Sequence, residues 1–269
     1  MNVLRLGIVG NGFVGSAVSN GFDVDTEQFI VDPKQNDNTM EQLMEFDPKL
    51  VFVCVPTPPQ DTHYDVDVQI VDSVLKDLEA YTYKGIVVIK STITPDHLTR
   101  FKKKYNLSLV YNPEFLTEAN AFEDFLNPSM QILGGKWKDC ENVEKAYVKH
   151  SSVKTVPTFK TDMITASLIK YTINSWLALK VTFFNELHGL FENSGAAPQW
   201  SQFTDMLTRD PRIGDSHMSV PGLDGKFGYG GHCFPKDTKA FLYYSKLKKK
   251  ELTLLKAAIQ LNEKQREES

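Results

Sequence analysis

The sequence predicts an α/β fold: a doubly wound parallel sheet followed by an all-α domain. Three observations carry this expectation. Short β-rich runs alternate with helical stretches through the first half of the chain. A glycine-rich turn, Gly10-Asn11-Gly12-Phe13-Val14-Gly15, joins the first strand to the first helix. Strand signals then fade from about Thr161, leaving helical periodicity.

Each element follows from local pattern. Leu4–Val9 reads as a buried strand, and residues 14–20 as the helix after the glycine turn. Residues 28–31 form a second strand ending at Asp32, and Met40–Glu45 a short amphipathic helix. Residues 50–55 are apolar throughout, as in a strand covered on both faces. Residues 68–81 read as a helix, 85–89 as a strand, 95–105 as a helix and 107–111 as a strand. Alternation of this kind implies right-handed crossovers. In the second half, residues 162–193 form one long apolar helix stopped by Asn193-Ser194-Gly195. A shorter helix spans 197–207, and residues 210–231 form a Gly/Pro-rich loop. Pro235 opens a helix to about Lys250, and 252–268 form the last. The expected division is a nucleotide-binding domain over 1–155 and a helical domain over 156–269.

Composition narrows the function. The 269 residues suffice for two domains, and 41% hydrophobic with 24% charged residues is the balance of a soluble globular protein. A net charge of −4 gives no footprint for nucleic acid or an anionic membrane. The N-terminus has no signal-peptide pattern, and no apolar run approaches the roughly 20 residues of a membrane span. The three cysteines, Cys54, Cys140 and Cys233, lack metal-type spacing. They point to a reducing, cytoplasmic setting without a disulfide framework or metal site. The charge run at 246–250 reads as a solvated helix end.

The glycine turn has the context of a dinucleotide site. It follows a strand, opens a helix and lies 22 residues before Asp32. Gly10 permits the tight turn, Gly12 lets the backbone approach a pyrophosphate, and Gly15 allows close helix–strand packing. Phe13 and Val14 complete the turn, with the helix N-terminus stabilising negative charge. Asp32 would accept hydrogen bonds from the ribose hydroxyls and repel a 2′-phosphate, so NAD is expected over NADP. Lys34 joins this set. Ligands of parallel sheets sit outside the carboxyl ends of the strands, so Pro56, Thr57 and Thr92 are expected at the same crevice.

The segment Gly228-Tyr229-Gly230-Gly231-His232-Cys233-Phe234-Pro235-Lys236-Asp237 carries the chemistry. A cysteine near a helix N-terminus with a lysine close by favours the thiolate. Asp237 follows one turn later, and the glycines admit a substrate close to the backbone.

This segment resembles the G-x-G-G-x-C-F-P-K-D signature of the UDP-glucose/GDP-mannose dehydrogenase family. Further blocks follow in family order: Lys90-Ser91-Thr92, Asn112-Pro113-Glu114-Phe115-Leu116-Thr117-Glu118, Lys170 with Asn174, and Asp210-Pro211-Arg212-Ile213-Gly214. The resemblance implies two NAD-dependent oxidations that take a nucleotide-sugar C6 alcohol to a carboxylate. It implies a thiohemiacetal and then a thioester on Cys233. Lys170 and Asn174 would stabilise the oxyanion, Asp237 and Thr92 would hold a water or proton relay, and Glu114 would activate the hydrolytic water. Glu118 would lie near the nicotinamide, and Lys236 joins the cofactor set. The substrate set adds Phe115, Leu116, Tyr229, Gly230, Gly231 and Arg212, the last across a subunit boundary. The long apolar helix is expected to pair two copies into a homodimer.

Three departures stand out. The family carries a C-terminal domain of roughly 100–150 residues that helps hold the nucleotide diphosphate. The chain is expected to lack it and to bind UDP-glucose weakly. Asp224-Gly225-Lys226 also adds loop length before the glycine block, and His232 stands where a small residue is common. Two other readings compete. One is a single-step hydroxyacid dehydrogenase of the 6-phosphogluconate type, which needs no thiol; the other is an inactive NAD-binding dimer.

Overall fold

The computed structural model describes residues 3–60, 64–117 and 120–267. The chain divides into two compact units, Met1–Pro58 with Val66–Lys170, and Pro59–Asp65 with Tyr171–Ser269.

The first unit is built on a seven-stranded sheet. Its strands are β1 (Leu4–Val9), β2 (Thr26–Val31), β3 (Leu50–Val53), β4 (Ile86–Ile89), β5 (Ser108–Tyr111), β6 (Gln131–Gly135) and β7 (Thr158–Thr161), in the spatial order β2-β1-β3-β4-β5-β6-β7. Pairings β1·β2, β1·β3, β3·β4 and β4·β5 are parallel. All four residues of β3 and of β4 are buried, which is why both read as unbroken apolar runs. The intervening helices are α1 (Phe13–Gly21), α2 (Met40–Glu45), α3 (Gln69–Ala80) and α4 (Pro95–Lys104). α3 buries Val71, Val74, Leu75 and Leu78, one stripe at helical spacing. α2 starts with a capping box between Thr39 and Gln42. The core under the sheet is formed by Leu6, Ile8, Phe22, Phe52, Val110 and Tyr147, among others. Each such side chain contributes about 1.5–3 kcal/mol by leaving water.

Four elements lie where the sequence pattern gave no expectation: α5 (Ala121–Leu126), β6, α6 (Trp137–His150) and β7. β6 runs antiparallel to β5, and β7 runs parallel to β6, so the last two strands point opposite to the first five. The sheet is therefore mostly parallel, with a reversed edge. The reversal has a purpose in the chain's path. β7 delivers the chain to the rim opposite Gly10, and the first turn of α7 (Met163–Asn193) then passes β6. Gly134 makes room for this helix: a Cβ there would sit 2.7 Å from the Ala166 methyl and 2.9 Å from Met163 Cα.

The second unit contains the rest of α7, α8 (Trp200–Leu207), α9 (Phe234–Leu247) and α10 (Thr253–Glu267). α8 begins at Trp200 instead of 197, after Pro198 and a Gln199 capping box. Phe184, Trp200, Met218 and Val220 form one core cluster, and Leu242, Leu255 and Ile259 another. Among the described residues no helix is long and apolar enough to cross a membrane.

Candidate active site

In the first unit the three glycines of the β1–α1 turn hold three different positions. Gly10 has φ +86°, and a Cβ on it would lie 2.9 Å from the Cys54 carbonyl carbon. A Cβ on Gly15 would lie 2.0 Å from the Gly10 carbonyl oxygen. A Cβ on Gly12 would meet nothing within 4 Å. Two of these glycines are therefore demanded by the fold, while the third keeps open space free at the N-terminus of α1. Phe13 is 64% exposed beside it, and Val14 is half-buried.

Asp32 lies at the end of β2, buried, and faces this turn. Its Oδ2 accepts from Asn11 N at 2.6 Å and its Oδ1 from Lys34 N at 2.9 Å. A carboxylate has about four acceptor sites, so each oxygen retains one for a ribose hydroxyl. Lys34 thus serves Asp32 through its backbone. Asn11 and Gln35 bond reciprocally, Nδ2 to Oε1 at 2.6 Å and Nε2 to the Asn11 carbonyl at 2.8 Å. This pair straps the two loops together. At the next strand ends, Thr57 donates to the Thr92 carbonyl at 2.9 Å, with Pro56 exposed beside it. The open space at Gly12 and the spare acceptors of Asp32 fit a dinucleotide.

The same unit carries a buried polar cluster. Glu114 follows β5 in a non-helical segment. Its Oε1 meets Lys170 Nζ at 3.3 Å, and its Oε2 accepts from Leu116 N at 2.6 Å. Lys170 lies 5.4 Å over the Phe115 ring. Below them, Lys90 donates to Asn112 Oδ1 at 3.0 Å, and Tyr147 donates to the same oxygen at 2.8 Å. Burial pulls the Lys90 ammonium down to about 8, against the opposing charges of Cys54 and Glu114. Burial likewise pushes the Cys54 thiol up to about 12. Lys90, Asn112, Glu114, Phe115 and Gln131 line a cavity of about 280 Å³. Glu118 and Glu268 lie outside the described residues.

In the second unit Cys233 is the N-cap of α9, which begins at Phe234, one residue before Pro235. Asp237 is 1% exposed, and its N–H donates to the Cys233 carbonyl at 2.8 Å. Its carboxylate accepts from Asn174 Nδ2 at 2.6 Å and from Lys236 Nζ at 2.6 Å. Asn174 is 6% exposed. A buried carboxylate held by two donors sits one turn behind the cysteine. Tyr229 is buried, with its ring against Phe234, while Gly228 and Gly231 both have positive φ. Arg212 is on the surface, paired with Asp210. Lys180 holds this loop by donating to the Ile213 carbonyl at 2.9 Å. Cys54, Cys140 and Cys233 are all thiols.

Several supporting residues were not anticipated. Gln35, Tyr147 and Lys180 are among them, as are Asn185, Asn262 and Arg266 around the glycine loop. A buried lysine closing the apolar run at 86–89 was the one available signal, because such a charge demands a partner.

A mostly parallel sheet, a glycine turn open at Gly12 and an acidic residue closing β2 define a dinucleotide-binding protein. Residues 34–151 match the NAD binding domain of the UDP-glucose/GDP-mannose dehydrogenase family, and residues 164–264 match its central domain. The chain belongs to this family and carries its NAD binding domain. The UDP-glucose 6-dehydrogenase of Campylobacter jejuni is 33% identical over 220 residues, covering 79% of this chain and 52% of that protein. This chain spans about half the length of such curated relatives. A UDP-glucose dehydrogenase structure from Pyrobaculum islandicum matches with a TM-score of 0.78 at 24% identity, covering 97% of this chain and 68% of that one. The 3-hydroxyisobutyrate dehydrogenase of Mycobacterium tuberculosis matches at 0.74 and 15% identity, covering 97% and 93%. These last two are likenesses of fold.

Proposed function

We propose that the chain oxidises the C6 alcohol of a nucleotide sugar to the carboxylate in two NAD-dependent steps, with UDP-glucose as the first substrate to test. The observation that carries the reading is Cys233 at the N-cap of α9 with buried Asp237, bonded to Asn174 and Lys236, one turn behind it. NAD, held at Gly10–Gly15 and Asp32, supplies the hydride acceptor for each oxidation.

The chain's own residues do the rest. Asp237 takes up the proton of the alcohol through a water, with Thr92 in the same relay. The Cys233 sulfur adds to the aldehyde carbon, and the adduct is oxidised to a thioester. Lys170 contributes positive charge and Asn174 an amide donor to the oxyanion. Glu114, held by Lys170 and by the Leu116 N–H, accepts a proton from the water that hydrolyses the thioester. Phe115, Leu116, Tyr229, Gly230, Gly231 and Arg212 belong to the substrate set, and Lys236 and Glu118 to the cofactor set. The first unit is the cofactor domain and the second the cysteine-bearing one.

The protein acts as a cytoplasmic homodimer in this reading. Trp176, Phe183 and Leu190 recur every seven residues along α7 and are 63%, 58% and 66% exposed. A heptad stripe of large apolar side chains is the seam that a second copy of the same helix would cover.

Counting NADH per sugar tests the mechanism. Two NADH per sugar are expected, and at most one with Cys233→Ser. One NADH from the unaltered protein would support a single-step hydroxyacid dehydrogenase, and full two-step turnover by the Ser variant would remove covalent catalysis.

A further inference from the structure

The added turn at 222–226 and the last turn of α10 together grip the glycine loop that precedes Cys233. The turn is closed by Gly222 N donating to the Lys226 carbonyl at 2.8 Å, with Leu223 at its tip 101% exposed. Asp224 points inward: its Oδ1 accepts from Lys226 N at 3.1 Å and its Oδ2 from Arg266 Nη1 at 2.6 Å. The Arg266 guanidinium lies flat on the loop. A Cβ on Gly230 would come 2.9 Å from Arg266 Nη2 and 3.0 Å from Cζ. One turn earlier, Asn262 clamps the neighbouring residue from both sides. Its Oδ1 accepts from Tyr229 N at 2.6 Å, and its Nδ2 donates to the Tyr229 carbonyl at 3.1 Å. Gly228 N completes the grip on Asn185 Oδ1 at 2.9 Å. Residues 262 and 266 share one face of α10, so a single helix face sets the path of the loop.

We propose that the Asp224–Arg266 pair is a latch on this loop, with Arg266 and Asp224 acting as positioning residues for Cys233. The guanidinium needs Gly230 to have no side chain, and Asp224 fixes its plane. Freeing it releases residues 230–232, which lead directly into the cysteine. The role in turnover rests on the oxidation proposed above; the effect on the thiol does not.

The test is the rate of Cys233 alkylation by iodoacetamide, read peptide by peptide by mass spectrometry in the full chain. Cys54 and Cys140 are internal controls, since burial pushes them up to about 12 and about 11 and keeps them slow. Arg266→Ala is expected to speed alkylation of Cys233 about three- to five-fold, the scale of losing one partly exposed ion pair, with the two controls unchanged. Gly230→Ala, which displaces the guanidinium, is expected to give the same acceleration. The double variant is expected to be no faster than either single one. Arg266→Lys keeps the charge but not the plane and is expected to remain loosened. Equal acceleration of all three cysteines would show general unfolding and overturn the latch. So would an unchanged Cys233 rate, or additive effects in the double variant. A parent protein that oxidises no nucleotide sugar, with Cys233 selectively faster in the variants, would sink the proposed oxidation and leave the latch standing.

Discussion

Replacing each glycine of the β1–α1 turn by alanine separates folding from cofactor binding within six residues. At Gly15 the added methyl would sit 2.0 Å from the Gly10 carbonyl oxygen, a backbone atom that cannot swing away. Overpacking against backbone costs several kcal/mol, about 3 or more here. At Gly10 the methyl meets the Cys54 carbonyl carbon and oxygen at 2.9 Å, and φ +86° adds roughly 1–2 kcal/mol of left-handed strain. At Gly12 the situation is different. Its φ of −75° suits any residue, and the methyl would meet nothing within 4 Å. The folding cost is that of an N-cap Gly→Ala change, below about 1 kcal/mol. The methyl would instead occupy the space that a pyrophosphate needs. Urea denaturation and NADH calorimetry read the two effects separately. Gly12→Ala is expected to keep its urea midpoint within error and to lose NADH affinity about 100-fold, about 2.7 kcal/mol. Gly10→Ala and Gly15→Ala are expected to lose midpoint. A Gly12→Ala protein that binds NADH as well as the parent would remove the cofactor from this turn.

Asp32→Ala is expected to weaken NADH about 10- to 100-fold by removing charge-assisted acceptors, and to bring NADPH within about tenfold of NADH; retained discrimination would place the ribose elsewhere. Stability should also depend on pH through Lys90. Its folded value of about 8 lies below the ordinary 10.5, so the unfolded chain binds more protons above pH 8 and stability rises with pH from there. The thiols of Cys54 and Cys140, raised by burial, oppose this above their ordinary 9.0 and flatten the rise. Urea midpoints should increase from pH 7.5 and level off towards 9, and Lys90→Met should remove the rise and leave the shallow fall that the two thiols cause; a parent midpoint that falls over this range would contradict it. Replacing Trp176, Phe183 and Leu190 together by Glu is expected to convert a dimer to a monomer in sedimentation velocity, with no loss of helix by circular dichroism.

Much of the first unit was legible because its signals are local. The glycine turn, Asp32 and the apolar runs of β3 and β4 each declare themselves within a few residues. The reversed strands did not. Gln131–Gly135 is short and ends in two glycines, and Thr158–Thr161 is mostly polar. Their direction is set by pairing with distant partners, which no local pattern encodes. The site divides in the same way. Cys233, Asp237, Asn174, Lys170 and Glu114, the residues of the proposed chemistry, were singled out through ordered motifs. Asn262 and Arg266 lie on the last expected helix with no local signal to mark them, because their partners lie 33 and 42 residues away in sequence. Asn112 was seen as part of a motif, but its service as the common acceptor for Lys90 and Tyr147 depends on β4 and α6 packing beside β5.

The backward pair β6 and β7 has a practical corollary. The link from β6 to α6, at Lys136 and the 62%-exposed Trp137, emerges on the edge of the sheet away from Gly12. A fluorophore or a grafted peptide at that corner would ride on the first unit without crowding the nucleotide crevice. The same corner is where natural insertions would be tolerated at least expense to coenzyme affinity.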